Sequence, residues 1–330
     1  MNQKNIYIAL ILLLLIVSCK PKQKFDVDLS NVEKVDIKIK RYEQALFKIN
    51  PARIRIGLNA VKAEYPFFIG DNIDTFAIMS LYNYVTDSNV VKTYKDTRDK
   101  YRDIKSLEKD LSLALRHFKY YYPEKAIPIV YSYVSGFDYE YPIKYIDSVL
   151  IIALDMYLGQ DYYFYPLINL PGYKTYRMRK ESIVVDCMTE IARSIVPENK
   201  GQYTFLDQMI YEGKLLYFLD LTLPDLNDSL KIGFKTSQLE WCKRNEANMW
   251  GFFMEQNFLY SNDKKVILRF IDDGPYTPSF EGESPARTGA FIGWQIVRAY
   301  MSNNNTSIKE FFLMNDSQQI LKKSKYKPKK

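Results

Sequence analysis

The N-terminus constrains this chain most, because it decides which residues remain in the folded protein. Met1–Asn5 is a polar start, and an unbroken apolar run from Ala9 to Val17 leads through one serine to Cys19. This run is too short to span a bilayer comfortably, so a cleaved signal is favoured over a permanent membrane helix. An apolar residue and small residues before a cysteine are typical of a lipoprotein signal. The peptide is cut before the cysteine, and the cysteine thiol is then acylated. The sequence therefore predicts a lipoprotein signal peptide over 1–18 and an acylated Cys19; an ordinary signal peptide with a chance cysteine is the alternative.

The formal charge of +7 comes from the two ends of the chain. Lys4 leaves with the signal, and six lysines fall within the last nine residues: Lys322, Lys323, Lys325, Lys327, Lys329 and Lys330. Without these seven the body carries no formal net charge, which argues against a nucleic-acid partner. Residues 319–330 are predicted to be a basic, disordered tail, with a weak contact to anionic lipid or an acidic polymer left open.

The remaining cysteines and the single histidine limit the possible chemistry. Cys187 and Cys242 each lie inside an apolar helical pattern and are predicted to be buried single thiols, although a disulfide between them is not excluded by the sequence. His117 is the one histidine of the chain and is interpreted as an ordinary helix residue. A zinc site needs at least three protein donors, and these residues lack ligand spacing. We therefore expect no metal and no cofactor.

The hydrophobic pattern predicts an α+β fold that is predominantly helical. A tether over 19–33 precedes one globular domain over 34–318, with a helical N-terminal part (40–122) and a second part (123–318) that has a small β-sheet and a helical C-terminal half. Alternating or β-branched runs predict strands at Val35–Ile39, Ile127–Val134 and Ser148–Leu154. Helices are predicted at about Lys180–Ile195, Thr204–Leu219, Ser237–Tyr260 and Ser284–Met301, with Lys264–Phe270 left as a strand or a turn of helix.

One stretch of the predicted helix Lys180–Ile195 has the layout of a gluzincin, a class of zinc peptidase. Such enzymes place two histidines at i and i+4, a glutamate base beside the first, and a third ligand on a later helix. Here Glu190 stands at the base position, but the ligand positions hold Thr189 and Arg193. Threonine is a poor zinc ligand and arginine repels a cation. Glu212 follows Glu190 by twenty-two residues, which suits the third-ligand segment. The sequence thus predicts a gluzincin-like scaffold with a degenerate site and no catalytic residues.

Two interpretations of the carboxylates in this region remain open. Arg193 is spaced to pair with Glu190, so the helix is interpreted first as being locked by a buried ion pair. The alternative is a carboxylate site of Asp186, Glu190 and Glu212 for a hard cation or a substrate proton. Polar residues further along the chain are candidates for the same groove: Glu246, Arg287, Gln295 and Arg298. For those on the last helix, a surface position is an equally good interpretation.

Packing and stacking features complete the pattern. Gly289 and Gly293 are four residues apart and open one helix face to a close neighbour. The turn Gly274–Tyr276 is expected to rim the groove. The aromatic segment Tyr162–Tyr165 either stacks on a sugar or covers the core, and the second interpretation is favoured.

Several of these stretches resemble the GldB-type gliding-motility lipoproteins of the Bacteroidota. The similarity runs from the lipid-attachment signal to about Met301, and is carried by Tyr157–Gly159, Trp241–Cys242, Asn245–Glu246, Trp250, Gly274–Thr277, Ser284–Gly289 and Phe291–Met301. The chain departs from the family pattern at Ala286, where glycine is more common. The resemblance implies a role in surface gliding and in type IX protein secretion, and a fold shared with zinc peptidases that has lost their histidine ligands. It assigns no catalytic residue.

The resulting expectation is a non-catalytic envelope lipoprotein that acts as a binding or scaffold component. Its expected partners are the membrane, through the N-terminal lipid, other gliding and secretion proteins, and a peptidoglycan strand or peptide segment in the groove. Lys20 is not the retention signal expected for the inner membrane, so an outer-membrane anchor with the body in the periplasm is predicted. A carboxylate- or metal-dependent hydrolase and a glycan-binding lipoprotein are the alternatives.

Overall fold

The computed structural model describes residue 25 and residues 27–198, 203–280 and 282–329. The predicted signal peptide and Cys19 lie outside the described residues, as do residues 20–24 and 26 of the predicted tether. Within these ranges, none of the helices has both the length and the apolar character needed to cross a bilayer.

A mixed four-stranded sheet lies between the two helical parts. Its strands are β1 (Lys40–Arg41), β2 (Ile129–Tyr133), β3 (Ile143–Ile146) and β4 (Val149–Ala153), in the spatial order β1-β2-β4-β3. The first two pairings are parallel, whereas β3 runs antiparallel to β4. The centre of β4 is an apolar run that is fully buried, as expected for a strand covered on both faces. Strand β3 forms one edge of the sheet.

The strand predictions were partly right. The predicted strands Ile127–Val134 and Ser148–Leu154 are confirmed as β2 and β4, with slightly shorter bounds. The prediction for Val35–Ile39 is wrong. There the backbone N–H groups of Ile37 and Ile39 donate to the side chains of Ser112 and Glu108, both at 2.9 Å, so helix side chains replace a neighbouring strand. The short β3 was not predicted.

The N-terminal helices build a small core of their own against one end of the sheet. They are α1 (Tyr42–Phe47), α2 (Ile54–Val61), α3 (Pro66–Ile69), α4 (Thr75–Thr86), α5 (Ser88–Lys100) and α6 (Lys105–Tyr121). Leu58 and Tyr42 are buried in this small core, together with Tyr131 from β2. Helix α6 instead packs its apolar stripe into the main core.

The C-terminal helices enclose the main core. They are α7 (Phe164–Leu167), α8 (Gly172–Thr175), α9 (Ile183–Arg193), α10 (Phe205–Thr222), α11 (Asp228–Ile232), α12 (Thr236–Arg244), α13 (Glu246–Glu255), α14 (Lys264–Ile271), α15 (Thr288–Asn303), α16 (Ile308–Leu313) and α17 (Ser317–Ser324). Helix α10 is the central one, since it is apolar around most of its circumference and buried along most of its length.

Glycines allow α10 and α15 to cross at very short range, as their spacing predicted. A Cβ atom on Gly293 would overlap the carbonyl of Met209, and one on Gly213 would overlap the carbonyl of Gly293. A Cβ on Gly289 would press on the ring of Phe205. The crossing brings together the helices that carry Glu212, Asp220 and Arg298.

Two helix predictions need correction. The predicted helix Ser237–Tyr260 is divided into α12 and α13 at Asn245, whose side chain donates to the Trp241 carbonyl at 3.0 Å. The last predicted helix starts at Thr288 and not at Ser284–Pro285. Arg287 has a φ of 58°, a left-handed conformation that a helix cannot include.

The prediction of a disordered tail over 319–330 is wrong for the described residues up to 329. Helix α17 covers Ser317–Ser324 and buries Ile320 completely, and Tyr326 donates a hydrogen bond to Glu246 at 2.9 Å. Composition alone could not reveal this, because a single isoleucine and a single tyrosine hold the lysine-rich segment in place.

The coarse fold class is confirmed as α+β, with 57% of the chain in helices and a small mixed sheet. Cys187 and Cys242 are both buried and unbridged, as predicted. His117 is buried within α6.

Candidate functional site

A polar cleft of about 570 Å³ lies between the segment leading into β3 and the helices α9 and α10. One wall is the stretch from Tyr139 to Ile143, and the floor is formed by residues of α9 and α10. Six of the predicted site residues line it: Asp186, Thr189, Glu190, Arg193, Glu212 and Arg287. The structure therefore brings together the degenerate motif and the later glutamate.

Helix α9 points its polar side chains into the cleft because of their spacing. Asp186, Glu190 and Arg193 stand at i, i+4 and i+7, on one face of a helix. The opposite face buries Cys187 and Ile191 in the core. The cleft-facing surface of α9 thus follows directly from an amphipathic pattern.

Asp186 is held by a partner that the sequence interpretation did not identify. Arg177 Nη2 lies 2.6 Å from Asp186 Oδ1, and the Tyr157 hydroxyl donates to Asp186 Oδ2 at 2.9 Å. The nearby Asp186 carboxylate raises the pKa of Arg177 above its already high ordinary value. Both oxygens of Asp186 therefore have a partner, and Arg193 is not the residue that neutralises it.

The ion pair predicted to lock α9 is less buried than expected. Arg193 Nε lies 3.4 Å from Glu190 Oε1, but the two side chains are 44% and 36% exposed. Desolvation raises the pKa of Glu190 above its usual range, and Arg193 opposes that shift. The Thr189 hydroxyl donates to the Val185 carbonyl at 2.8 Å, so its proton is bound within the helix. The pair is therefore a half-exposed part of the cleft wall and does not lock the core.

A second, more buried pair joins α10 to the start of α15. Arg287 Nη2 lies 2.9 Å from Glu212 Oε2, and its Nη1 donates to the Ile232 carbonyl at 2.8 Å. Arg287 has a left-handed backbone conformation and directly precedes the first residue of α15. Its side chain lines the cleft.

Two further acids line the cleft, and the sequence interpretation did not select them. Asp272 and Asp273 follow α14 directly and line the cleft, whereas Gly274 and Pro275 of the next turn line a neighbouring cavity of about 260 Å³. The turn that was predicted to rim the groove therefore does not line it. Desolvation raises the pKa of Asp272. Desolvation also acts on Asp273, but Arg287 and Arg177 outweigh it and hold the pKa of Asp273 below its usual value. An acidic pair beside a Gly-Pro turn was the signal that could have identified them.

Three predicted groove residues lie elsewhere. Glu246, Gln295 and Arg298 line a separate cavity of about 720 Å³, so their assignment to the groove is wrong. Arg298 is eleven residues beyond Arg287, which displaces it by roughly 16 Å along the direction of α15. Two side chains separated by that distance along a helix direction cannot both reach the same cleft.

Arg298 belongs to a buried charge network centred on Asp220 of α10. The carboxylate of Asp220 accepts from Arg298 Nε at 2.7 Å, from Lys231 Nζ at 3.0 Å and from Trp294 Nε1 at 2.9 Å. Arg298 also pairs with Asp228 at 2.9 Å. Lys231 lines both cavities, so this network forms part of the wall between them.

The aromatic segment packs as a lid on the core, which was the favoured interpretation. Tyr165 is fully buried, and the hydroxyls of Tyr162 and Tyr163 donate to Asp96 at 2.9 and 3.0 Å. Other tyrosines stand at the cleft: Tyr139 and Tyr141 line its mouth and are exposed.

Within the described ranges, no three His, Cys, Asp or Glu residues are grouped so that they could hold a metal ion. The cleft instead alternates carboxylates with guanidinium groups. Such a surface offers hydrogen-bond donors and acceptors in turn, which suits a polar, overall neutral ligand such as a peptide backbone.

Comparison with known proteins identifies the family. No curated protein and no solved structure shows a significant match to this chain. The family model described as "Gliding motility protein GldB" matches residues 22–328, which is nearly the whole chain. The chain therefore belongs to the GldB family of gliding-motility lipoproteins.

Proposed function

We propose that this protein is a non-catalytic binding component of the gliding machinery and of the associated type IX protein secretion. In this proposal the cleft holds an extended segment of a partner protein without cutting it. The observation that carries the proposal is that Asp186, Glu190 and Glu212 each face an arginine across the cleft wall. A carboxylate paired with a guanidinium presents strong, charge-assisted hydrogen-bonding groups that can anchor a polar ligand.

The edge of the sheet supports an extended ligand. Strand β3 is an edge strand, and the residues that lead into it, from Tyr139 to Ile143, line the cleft. An edge strand can pair its backbone with an added peptide strand, while neighbouring side chains select the sequence. A peptide laid along β3 would pass directly over the three pairs of α9 and α10.

We further propose that the scaffold is a degenerate gluzincin-like fold. Three features support this: an edge strand over the cleft, Glu190 on the floor helix α9, and Glu212 on the following long helix α10. Thr189 and Arg193 occupy the places where histidines would bind zinc, and their chemistry does not suit a zinc ligand.

Site-specific photo-crosslinking in living gliding cells tests the binding role. A photoreactive residue at Tyr141, 62% exposed at the cleft mouth, is compared with one at Tyr260, 58% exposed away from either cavity. We expect a discrete adduct with an envelope protein from position 141 and none from position 260. Equal adducts from both positions, or none from 141 in cells that glide normally, would contradict the proposal.

A carboxylate-dependent hydrolase is the second candidate, favoured by the raised pKa of Glu190 in a half-exposed cleft position. In that case Glu190→Gln abolishes gliding while protein abundance and folding stay normal. In the binding proposal the same variant glides, because glutamine keeps the shape and most hydrogen bonds of the side chain. Incubation of the purified protein with envelope proteins and cell-wall fragments, read by mass spectrometry, gives a second measure of cleavage.

A glycan-binding role is the third candidate, and the exposed rings of Tyr139 and Tyr141 at the cleft mouth favour it. Replacing both with leucine would remove binding to peptidoglycan fragments if these rings stack on sugars. We propose an outer-membrane anchor through Cys19 with the body in the periplasm. Membrane fractionation and protease accessibility of intact cells test this location.

A further inference from the structure

The lysine-rich C-terminus has a defined position on the protein surface. The side chain of Asn303 donates to the Ser324 carbonyl at 2.7 Å, and that of Asn304 donates to the Lys323 carbonyl at 3.0 Å. Tyr326 packs edge-on against Trp250 and donates to Glu246. These contacts hold the exposed lysines from 322 to 329 against α13 and α15 and keep them together as a group.

The same lysines border the second cavity. Lys327 and Lys329 line it together with Lys243 of α12. The cavity is lined by five cations, Lys231, Lys243, Arg298, Lys327 and Lys329, and by three acids, Asp225, Asp228 and Glu246. Lys243 also pairs with Glu240 at 2.9 Å. Lys322, Lys323 and Lys325 add further positive charge beside the cavity. The surface around the opening is therefore basic overall.

The N-terminal segment reaches the protein at this same place. The ring of Phe25 lines the second cavity and packs edge-on against Tyr217, with ring centroids 5.6 Å apart. Phe25 is only six positions after Cys19. Six residues span at most about 20 Å when fully extended, so a lipid on Cys19 must enter the membrane close to this cavity.

We propose that the basic face, defined here as Phe25, Lys243, Lys323, Lys327 and Lys329, lies directly against an anionic phospholipid surface. The lysines contact headgroup phosphates while the acyl chains on Cys19 insert beside them. A lipid anchor combined with a basic patch makes a two-part attachment that is stronger than either part. It also fixes which side of the protein faces the bilayer. The proposal rests on lipidation of Cys19 and does not depend on what the first cleft binds.

Fluorescence quenching of the mature, lipidated protein in vesicles tests this orientation. Cys187 and Cys242 are buried, so a thiol dye can be directed to Lys322→Cys, next to Lys323 of the basic face, or to Tyr260→Cys as a control. The vesicles consist of phosphatidylcholine with or without phosphatidylglycerol, and carry a headgroup quencher. We expect strong quenching at position 322 that needs phosphatidylglycerol and declines with added salt, and weak quenching at position 260.

A matched pair of charge variants identifies the groups responsible. Lys323, Lys327 and Lys329 are changed together to glutamine, and the control changes Lys48, Lys95 and Lys105, three exposed lysines on other elements. Each lysine near an anionic surface contributes about fivefold in affinity, so the first triple variant is expected to bind the anionic vesicles about a hundredfold more weakly and to lose the lipid-dependent quenching accordingly. The control triple should match the unmodified protein. Equal quenching at positions 322 and 260, quenching independent of phosphatidylglycerol, or an equal loss in both triples would overturn the proposal. Unfolding curves of both triples establish that each is folded.

Discussion

Pairs of carboxylates and cationic side chains occur both in the cleft and in the wall behind it, but the two sets differ greatly in burial. In the cleft, Glu190 and Arg193 form a half-exposed pair, whereas Asp220 in the wall is fully buried with Arg298 and Lys231. Solvent screens the first pair, so it can exchange its partner for a ligand at little cost. The second has lost its water, so its members depend on one another. Burial therefore separates a surface that can bind from a network that holds α10, α11 and α15 together.

The largest effect is expected from the centre of the buried network. Asp220→Asn removes the charge that balances Lys231 and Arg298, and should lower the free energy of unfolding by about 3–5 kcal/mol. The control is Asp225→Asn, which changes an exposed acid at the rim of the second cavity and should have little effect. Urea unfolding of the three proteins measures both values. A loss below about 1 kcal/mol for Asp220→Asn would remove the distinction between the two regions.

The second largest effect on the free energy of unfolding is expected from a buried lysine that lies outside this charge network. Lys214 donates to the carbonyls of Phe312 and Met314, and desolvation lowers its pKa to about 8. The unfolded chain holds this proton up to about pH 10, so the unfolded state binds more protons between these values. Folding stability should therefore rise with pH in this window, by about 1–3 kcal/mol relative to Lys214→Met.

Comparison with that variant cancels the titration of other groups. Chemical unfolding of both proteins at pH 8 and pH 10 provides the measurement. If the stability of the unmodified protein relative to Lys214→Met stays constant, or falls as the pH rises, a lowered pKa at Lys214 is contradicted.

The more buried pair of the cleft should show an intermediate effect. Glu212→Gln leaves Arg287 with a neutral partner in a place where both side chains are largely buried. We expect a loss of about 1–2 kcal/mol in the free energy of unfolding. Glu240→Gln is the matched control, since Glu240 pairs with Lys243 on the surface at the same 2.9 Å. If the loss in the free energy of unfolding is no larger than that of the control, the Glu212–Arg287 pair stabilises the protein no more than an exposed ion pair does.

The smallest effect is expected at the half-exposed pair. Glu190→Gln should change the free energy of unfolding by less than about 0.5 kcal/mol, because exposed ion pairs contribute little. Thermal and urea unfolding give the value, and added salt should barely alter it. A loss above about 2 kcal/mol would instead support the original interpretation of a buried lock on α9.

Sequence patterns were most informative where local rules decide the structure. The amphipathic spacing of α9 placed Asp186, Glu190 and Arg193 on one face, and the helix predicted at about Thr204–Leu219 is found as α10. The glycine spacing on α15 correctly indicated a close helix neighbour. These features depend on residues within one or two turns of each other.

Long-range partners were missed for a corresponding reason. Nothing near Arg177 in the sequence indicates that it will neutralise Asp186, and Asp273 reaches the cleft from a loop after α14. Arg298 was assigned to the wrong cavity, because helix periodicity describes direction around the axis and leaves the packing partner open. The C-terminal lysines were taken for a disordered tail, since composition could not reveal the contacts of Ile320 and Tyr326.

The sequence by itself determined the helical character of the chain, the close helix crossing, and the presence of Thr189 and Arg193 where a zinc site would need histidines. Only the tertiary structure decided which carboxylates share a cleft, which are buried in its wall, and where the lysines meet the N-terminal segment. The physical reason is that helices and caps form from neighbouring residues. Burial and charge pairing instead depend on groups that are far apart in the chain, 78 positions in the case of Asp220 and Arg298.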